Sequence, residues 1–141
     1  MRRLVFALLL AAGPALAVLP DAAPSGDDAA REEGERAVRA GRYQVGIPFL
    51  REAIKRAPEI ADLRVYLALA LRQTGEVQEA AREYAEALRL QPDHPGALAY
   101  QGVLKLSQGD RAGAEANMAR LRTLCPNGCF ERDELARELA R

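Results

Sequence analysis

Two cysteines and one histidine carry most of the reactive chemistry that this 141-residue chain could offer. Cys125 and Cys129 are separated by three residues, Pro-Asn-Gly, and His94 lies about thirty residues earlier. In an oxidising compartment, two cysteines this close together favour a structural disulfide. Closing so short a loop would stabilise the folded chain by about 2 kcal/mol.

Three other uses of the cysteines fit the sequence less well. Covalent haem attachment normally takes Cys-x-x-Cys-His, whereas this spacing is one residue longer and Phe130 stands where the histidine belongs. A thiol-redox site prefers Cys-x-x-Cys at the start of a helix, although a helix following Cys129 could still activate its thiol. A zinc site needs about four ligands, and only Cys125, Cys129 and His94 are candidates. We therefore expect no metal and no cofactor, and a thiol-disulfide helper stays open as an alternative.

The remaining sequence shows no catalytic motif. It has no Ser-His-Asp pattern, no paired carboxylates and no glycine-rich phosphate loop, and its acidic residues are spread out as on solvated helix surfaces. Charge is balanced at 20 basic and 20 acidic side chains, whereas a nucleic-acid-binding domain is usually basic. We predict a protein that is not an enzyme and that binds no nucleic acid.

Residues 1–17 have the pattern of a secretory signal peptide. Arg2 and Arg3 precede a wholly apolar run over residues 4–12, a Gly-Pro pair ends it, and Ala-Leu-Ala at 15–17 suits a signal peptidase. The apolar stretch over residues 4–19 is shorter than the ~20 residues of a membrane span, so we expect cleavage and no stable membrane anchor afterwards. The mature chain would be periplasmic or secreted. Residues 18–27 contain two prolines and a glycine and predict a flexible leader.

Glycine and proline recur with a common period of 34 residues. The two series are Gly41, Gly75 and Gly109, and Pro58, Pro92 and Pro126. Glycine suits the left-handed turn that closes the first helix of a hairpin, and a proline prevents the second helix from continuing. Apolar residues between these positions fall three and four apart, as on one face of a helix. The sequence thus predicts three helical hairpins, over residues 28–58, 61–92 and 95–126.

The repeat resembles the tetratricopeptide repeat (TPR), and the second copy matches its pattern best. The matching residues there are Leu67, Ala68, Leu71, Ala80, Tyr84, Ala87 and Pro92. The departures include Arg64 and Lys105, which replace large apolar or aromatic residues, and Pro48, which should delay or kink the second helix of the first repeat. The resemblance covers about residues 27–126.

This resemblance implies an exported bacterial member of the family with an all-α fold. We expect a right-handed superhelix of three hairpins over residues 28–126, closed by a capping helix within residues 127–141. Residues 131–141 support that capping helix, because Leu135, Ala136, Leu139 and Ala140 share one face.

In such a superhelix the first helix of each repeat lines the inner face. The inner-face residues that we predict to bind a partner are Arg31, Glu35, Val65, Tyr66, Leu69, Arg72, Tyr100 and Val103. The centre of this surface is apolar with two tyrosines, which suits a groove for an extended segment or an amphipathic helix of another protein. The alternative is that the leader or the closing helix covers part of it. An exposed groove on three repeats also favours self-association.

These observations predict a non-enzymatic periplasmic scaffold or assembly factor whose partner is a protein or peptide. A chaperone for unfolded exported clients, such as in cytochrome maturation, is the first alternative. The thiol-disulfide helper that uses Cys125 and Cys129 is the second. Fold resemblance does not decide between a scaffold and a chaperone, because one fold hosts many functions.

Overall fold

The computed structural model describes residues 26–141, so the predicted signal peptide and residues 18–25 of the predicted leader lie outside the described residues. Within this range the regular structure is helical throughout. The helices are α1 (Gly26–Arg39), α2 (Tyr43–Arg56), α3 (Ala61–Gln73), α4 (Val77–Leu90), α5 (Pro95–Ser107), α6 (Arg111–Leu124) and α7 (Phe130–Leu139). The predicted all-α stack of three hairpins and a closing helix is confirmed. No helix in residues 26–141 is both long and apolar enough to cross a membrane.

The periodic glycines close the hairpins. Gly41, Gly75 and Gly109 have φ angles of 72°, 90° and 82°, the left-handed region that costs glycine least. The residue after each glycine donates its backbone N–H to a carbonyl five residues earlier at 2.8 Å, as Arg42 does to Ala37. This bond satisfies a carbonyl that the end of the helix would leave unpaired.

Pro48 lies inside α2 and does not delay it. The helix begins at Tyr43, the same repeat position at which Val77 begins α4 and Arg111 begins α6. The Arg42 carbonyl accepts from the N–H groups of Val45 and Gly46 at 3.1 Å, so the first turn is closed before the proline. Pro48 then removes a single bond of the helix. The predicted delay of α2 was wrong for this reason, and the alternative of a kink at Pro48 stays a prediction.

The core consists of two clusters of buried apolar side chains. The larger joins the first two hairpins to α5, and its largest fully buried members include Leu50, Leu63, Leu71 and Tyr84. The smaller joins the third hairpin to α7 through Leu98, Ala99, Met118, Leu121 and Leu135. The capping helix is therefore part of the core of the last hairpin.

α7 leans towards the inner face of the stack. Of the two helices in the preceding hairpin, α3 packs more on α2 than on α1 and α5 packs more on α4 than on α3, whereas α7 packs more on α5 than on α6. Gly102 in α5 permits this approach, because a Cβ atom there would lie 2.7 Å from Cδ2 of Leu135. α7 thus covers part of the third hairpin on the side where the first helices lie.

Candidate functional site

A cleft of about 210 Å³ opens between α3, α5 and the start of α7. Its apolar wall contains Val65, Tyr66, Leu69 and Tyr100. The three residues from α3 share one face of that helix, since they are spaced one, three and four residues apart. The other lining residues are Asp62, His94, Pro95, Gly96 and Glu131.

His94 ties the two helix starts at one end of the cleft together. Its Nδ1 accepts the backbone N–H of Ala97 at 3.3 Å and so caps α5. With Nδ1 acting as acceptor, the ring proton of the neutral imidazole is on Nε2, which lies 2.7 Å from Oδ1 of Asp62 and donates to it. This hydrogen bond links α3 to α5 and holds the end of the cleft in place.

Arg39 of α1 lies over the ring of Tyr66. The guanidinium carbon is 5.4 Å from the ring centre, and Nη1 donates to the Tyr66 hydroxyl at 2.8 Å. Arg39 also pairs with Glu35 at 3.2 Å, and Glu35 pairs with Arg31 at 2.9 Å. The hydrogen bonds to Tyr66 and Glu35 raise the pKa of Arg39 above its usual value. Cation, aromatic ring and carboxylate thus form one connected group beside the cleft.

Tyr100 is half-buried, and its environment favours the neutral phenol. Burial is the main cause that raises the pKa of Tyr100, and the carboxylates of Glu131 and Glu134 raise it further. Arg72 acts in the opposite direction. The hydroxyl of Tyr100 is therefore close enough to α7 to experience the negative charge there.

The structure brings four of the predicted partner-binding residues together: Val65, Tyr66, Leu69 and Tyr100 all line the cleft. Val65 contributes little surface, since it is only 7% exposed. Arg31 and Glu35 lie on α1 in the ion-paired group around Arg39. Their roles in binding stay predictions.

Arg72 and Val103 lie outside the cleft lining. The Nε atom of Arg72 is buried and has no hydrogen-bond partner among the described residues, and the charge of Arg72 acts on Tyr84 as well as Tyr100. Val103 is partly buried and packs against the cluster that contains Leu135 of α7 together with residues of α5 and α6. The alternative that the closing helix covers some of the inner face holds at this end of the stack.

Sequence reasoning did not identify Glu131 as a residue of this site. Glu131 is the second residue of α7, and its position depends on how that helix crosses α5. The 34-residue period ends at Pro126 and carries no information on that crossing. The usable signal was Gly102, a small residue that could have indicated a close approach by another helix.

Cys125 and Cys129 are joined as a disulfide, with their Cα atoms 5.8 Å apart. Cys125 follows the end of α6 and Cys129 precedes α7, so the bond fixes the entry of the capping helix. Nη1 of Arg132 braces the same loop by donating to the Cys125 carbonyl at 2.8 Å. Over residues 26–141, no group of three or more His, Cys, Asp or Glu side chains has the arrangement to hold a metal ion.

Comparison with protein families gives a match to the tetratricopeptide repeat over residues 31–95 and 78–128. A search of curated proteins finds the probable biofilm formation methyltransferase WspC of Pseudomonas putida, 33% identical over 79 residues. That alignment covers 56% of this chain and 19% of the relative. The chain therefore spans about a fifth of that relative's length.

Solved structures with this fold include several repeat domains. The TPR2B domain of yeast Sti1, in a complex with pHsp70, superposes with a TM-score of 0.72 at 24% identity over 81% of this chain and 95% of that one. The TPR domain of Arabidopsis OM64 gives 0.72 at 19% identity over 81% and 93%. The first TPR of Spaghetti (RPAP3), bound to the HSP90 peptide SRMEEVD, gives 0.69 at 19% identity over 82% and 94%. Likeness at these identities shows the shared fold.

Proposed function

The chain belongs to the tetratricopeptide-repeat family, and we propose that it is a non-enzymatic interaction module that holds a segment of a partner protein in the cleft between α3, α5 and α7. The observation that carries this proposal is the partly exposed apolar wall of Tyr66, Leu69 and Tyr100. Tyrosine is a favoured anchor in protein–protein contacts, and an apolar groove can accept a partner's extended segment or amphipathic helix. The complexes of the Sti1 and RPAP3 domains provide precedents for ligand binding by this fold.

The size of the cleft favours a scaffold or assembly factor over a general chaperone. A holder of unfolded clients needs a broad apolar surface. Here α7 packs on the third hairpin, and the apolar cleft beside it has a volume of about 210 Å³. A cleft of this size suits a few side chains of one defined segment.

We also propose that the protein works in the periplasm or outside the cell. Two features support this location: the signal-like residues 1–17 and the short-range disulfide between Cys125 and Cys129. Disulfides persist in oxidising compartments and are rare in the cytosol. N-terminal sequencing of the protein from the exported fraction should begin at Val18, and recovery of the uncleaved chain from the cytosol would contradict the proposed location.

The binding experiment is a pull-down from the exported fraction of the source cells. The bait is either the wild-type chain or Tyr66→Ala/Leu69→Ala, which removes two apolar side chains from the cleft. The matched control is Val45→Ala/Phe49→Ala, which removes two exposed apolar side chains from α2, away from the cleft. Circular dichroism confirms that each bait is helical.

We expect one dominant partner that the wild type and the α2 control retain and that the cleft variant loses. A collection of many unfolded clients would instead favour the chaperone alternative. Capture that the cleft variant performs as well as the wild type would rule out the cleft as the binding site.

A further inference from the structure

We propose that the cleft recognises a basic side chain, so that the partner segment places an arginine between Tyr66 and Tyr100 and within reach of Asp62 and Glu131. This inference rests on the function proposed above and specifies the chemistry of the partner. It follows from the charge of the cleft lining, from an unpaired carboxylate and from a similar contact that the chain makes with its own Arg39.

The charged side chains that line the cleft are both acidic. They are Asp62 from the start of α3 and Glu131 from the start of α7, and none of the described lining residues is Lys or Arg. His94 contacts only Oδ1 of Asp62, whose side chain is 58% exposed, so Oδ2 can accept from a ligand. The lining itself therefore presents two carboxylates around an apolar wall, while Arg31 acts on Asp62 and Arg72 acts on Tyr100 from outside the lining.

Glu131 has no hydrogen bond or ion pair from any side chain in the described part of the chain. The neighbouring acids of α7 are all paired, through Arg132–Asp133, Arg137–Glu134 and Arg141–Glu138. A carboxylate in the first turn of a helix stabilises that helix by itself. Glu131, however, also lines the cleft and raises the pKa of Tyr100, so its charge is directed at the binding surface.

The chain already displays the proposed contact with one of its own side chains. Arg39 lies over the ring of Tyr66 and pairs with a carboxylate, Glu35, on the α1 side of α3. On the α5 side of the same helix, Tyr100 and Glu131 offer a ring and a carboxylate, and no guanidinium of the described residues stacks on that ring, although Arg72 acts on Tyr100 from outside the lining. A guanidinium placed there would gain a cation–π contact and a charge-assisted hydrogen bond.

Arginine suits this cleft better than lysine does. Its planar guanidinium stacks on aromatic rings and pairs with carboxylates through two parallel hydrogen bonds. Its aliphatic stem can bury against Leu69 while the charged head reaches the rim. The volume of about 210 Å³ is on the scale of one long side chain and its neighbour.

The experiment begins with a random peptide display library panned on the full chain. Peptides that bind the wild type but not Tyr66→Ala/Leu69→Ala are synthesised, together with versions in which each arginine is replaced by citrulline, its neutral isostere. Affinities are measured for the wild type, for Glu131→Gln and for the matched control Glu59→Gln. Glu59 suits this control because it is an exposed carboxylate outside the cleft lining.

We expect the cleft-dependent peptides to contain an arginine beside an apolar residue. Citrulline should weaken binding to the wild type about three- to tenfold, and so should Glu131→Gln with the arginine peptide. Glu131→Gln should leave the affinity for the citrulline peptide unchanged, and Glu59→Gln should have no effect on either peptide.

Two results would overturn the inference while leaving the binding function intact: cleft-dependent peptides that lack basic residues, or an equal loss on Glu131→Gln with arginine and citrulline peptides. If panning yields no peptide whose binding depends on Tyr66 and Leu69, the proposed function fails and this inference fails with it.

Discussion

The contact between Gly102 and Leu135 gives the sharpest test of how α7 packs. Alanine is favoured over glycine in the interior of a helix by about 1 kcal/mol, so Gly102→Ala should stabilise α5 if nothing opposed it. In the folded chain, however, the new Cβ would lie 2.7 and 2.8 Å from the two Cδ atoms of Leu135. Leu135 is fully buried between α5 and α6 and has little room to move.

The helix propensity of alanine stabilises the chain and the clash with Leu135 destabilises it, and the residue at position 135 decides which effect is larger. Overpacking a well-filled core costs about 1–3 kcal/mol, so Gly102→Ala should leave the wild type unchanged or destabilise it by up to ~2 kcal/mol. Leu135→Ala alone should cost about 2–5 kcal/mol. It also removes the obstructing atoms, so Gly102→Ala should stabilise the Leu135→Ala chain by roughly 1 kcal/mol. The coupling energy of the pair is then about 1–3 kcal/mol.

The assay is urea unfolding followed by circular dichroism for the four proteins of this double-mutant cycle. Gly34→Ala serves as a control, because its Cβ would press on Leu50 in the first hairpin, far from α7. It should change the free energy of unfolding by the same amount with Leu135 and with Leu135→Ala. If Gly102→Ala changes the free energy of unfolding by the same amount with and without Leu135, α7 does not pack on α5 as described.

Two further predictions concern the core tyrosine and the disulfide. Tyr84→Phe should change the free energy of unfolding at pH 7 by less than about 0.5 kcal/mol, because the buried hydroxyl forms no hydrogen bond of normal geometry within the described residues, and its interaction with the nearby Arg72 is correspondingly weak. Burial raises the pKa of Tyr84 above its ordinary value of 10.0, so the stability that depends on the neutral phenol is complete below pH 10 and is lost as the pH rises through the higher folded pKa. Urea unfolding at pH 7 and above pH 10 should therefore show a larger alkaline loss of stability in the wild type than in Tyr84→Phe. Parallel losses in the two proteins would contradict this reasoning. Reduction of Cys125–Cys129 should lower the free energy of unfolding by about 2 kcal/mol in the wild type and leave Cys125→Ser/Cys129→Ser unaffected. Equal sensitivity to reductant in both proteins would show that loss of this disulfide does not cause the destabilisation.

The hairpins could be predicted because single residues determine the local geometry that repeats. Gly41, Gly75 and Gly109 were expected in left-handed turns, and their positive φ angles show that geometry. Pro48 shows the limit of such reasoning, since its effect on α2 depends on bonds that the preceding loop makes.

The composition of the site could be predicted only in part, because contacts between distant residues determine the remainder. Tyr66, Leu69 and Tyr100 followed from the inner-face positions of the repeat. Arg39 reaches Tyr66 across 27 residues of sequence, and Glu131 reaches the cleft on a helix outside the periodic region. The residues neighbouring each of these positions in the sequence do not predict its contact, because the contact depends on how two helices cross.

The inward lean of α7 also limits how copies of this chain could assemble. Stacked hairpins can extend head to tail when the last repeat of one molecule accepts the first helix of another. Here Leu135 and Leu139 occupy the apolar surface of the third hairpin that such a contact would use, while Val45 and Phe49 stay exposed on α2 at the other end of the chain. A filament needs two complementary ends, whereas a closed dimer needs one patch that matches itself. Because α7 covers that surface, a head-to-tail contact between copies could not use it and would have to use other side chains, such as the exposed Leu124 and Phe130.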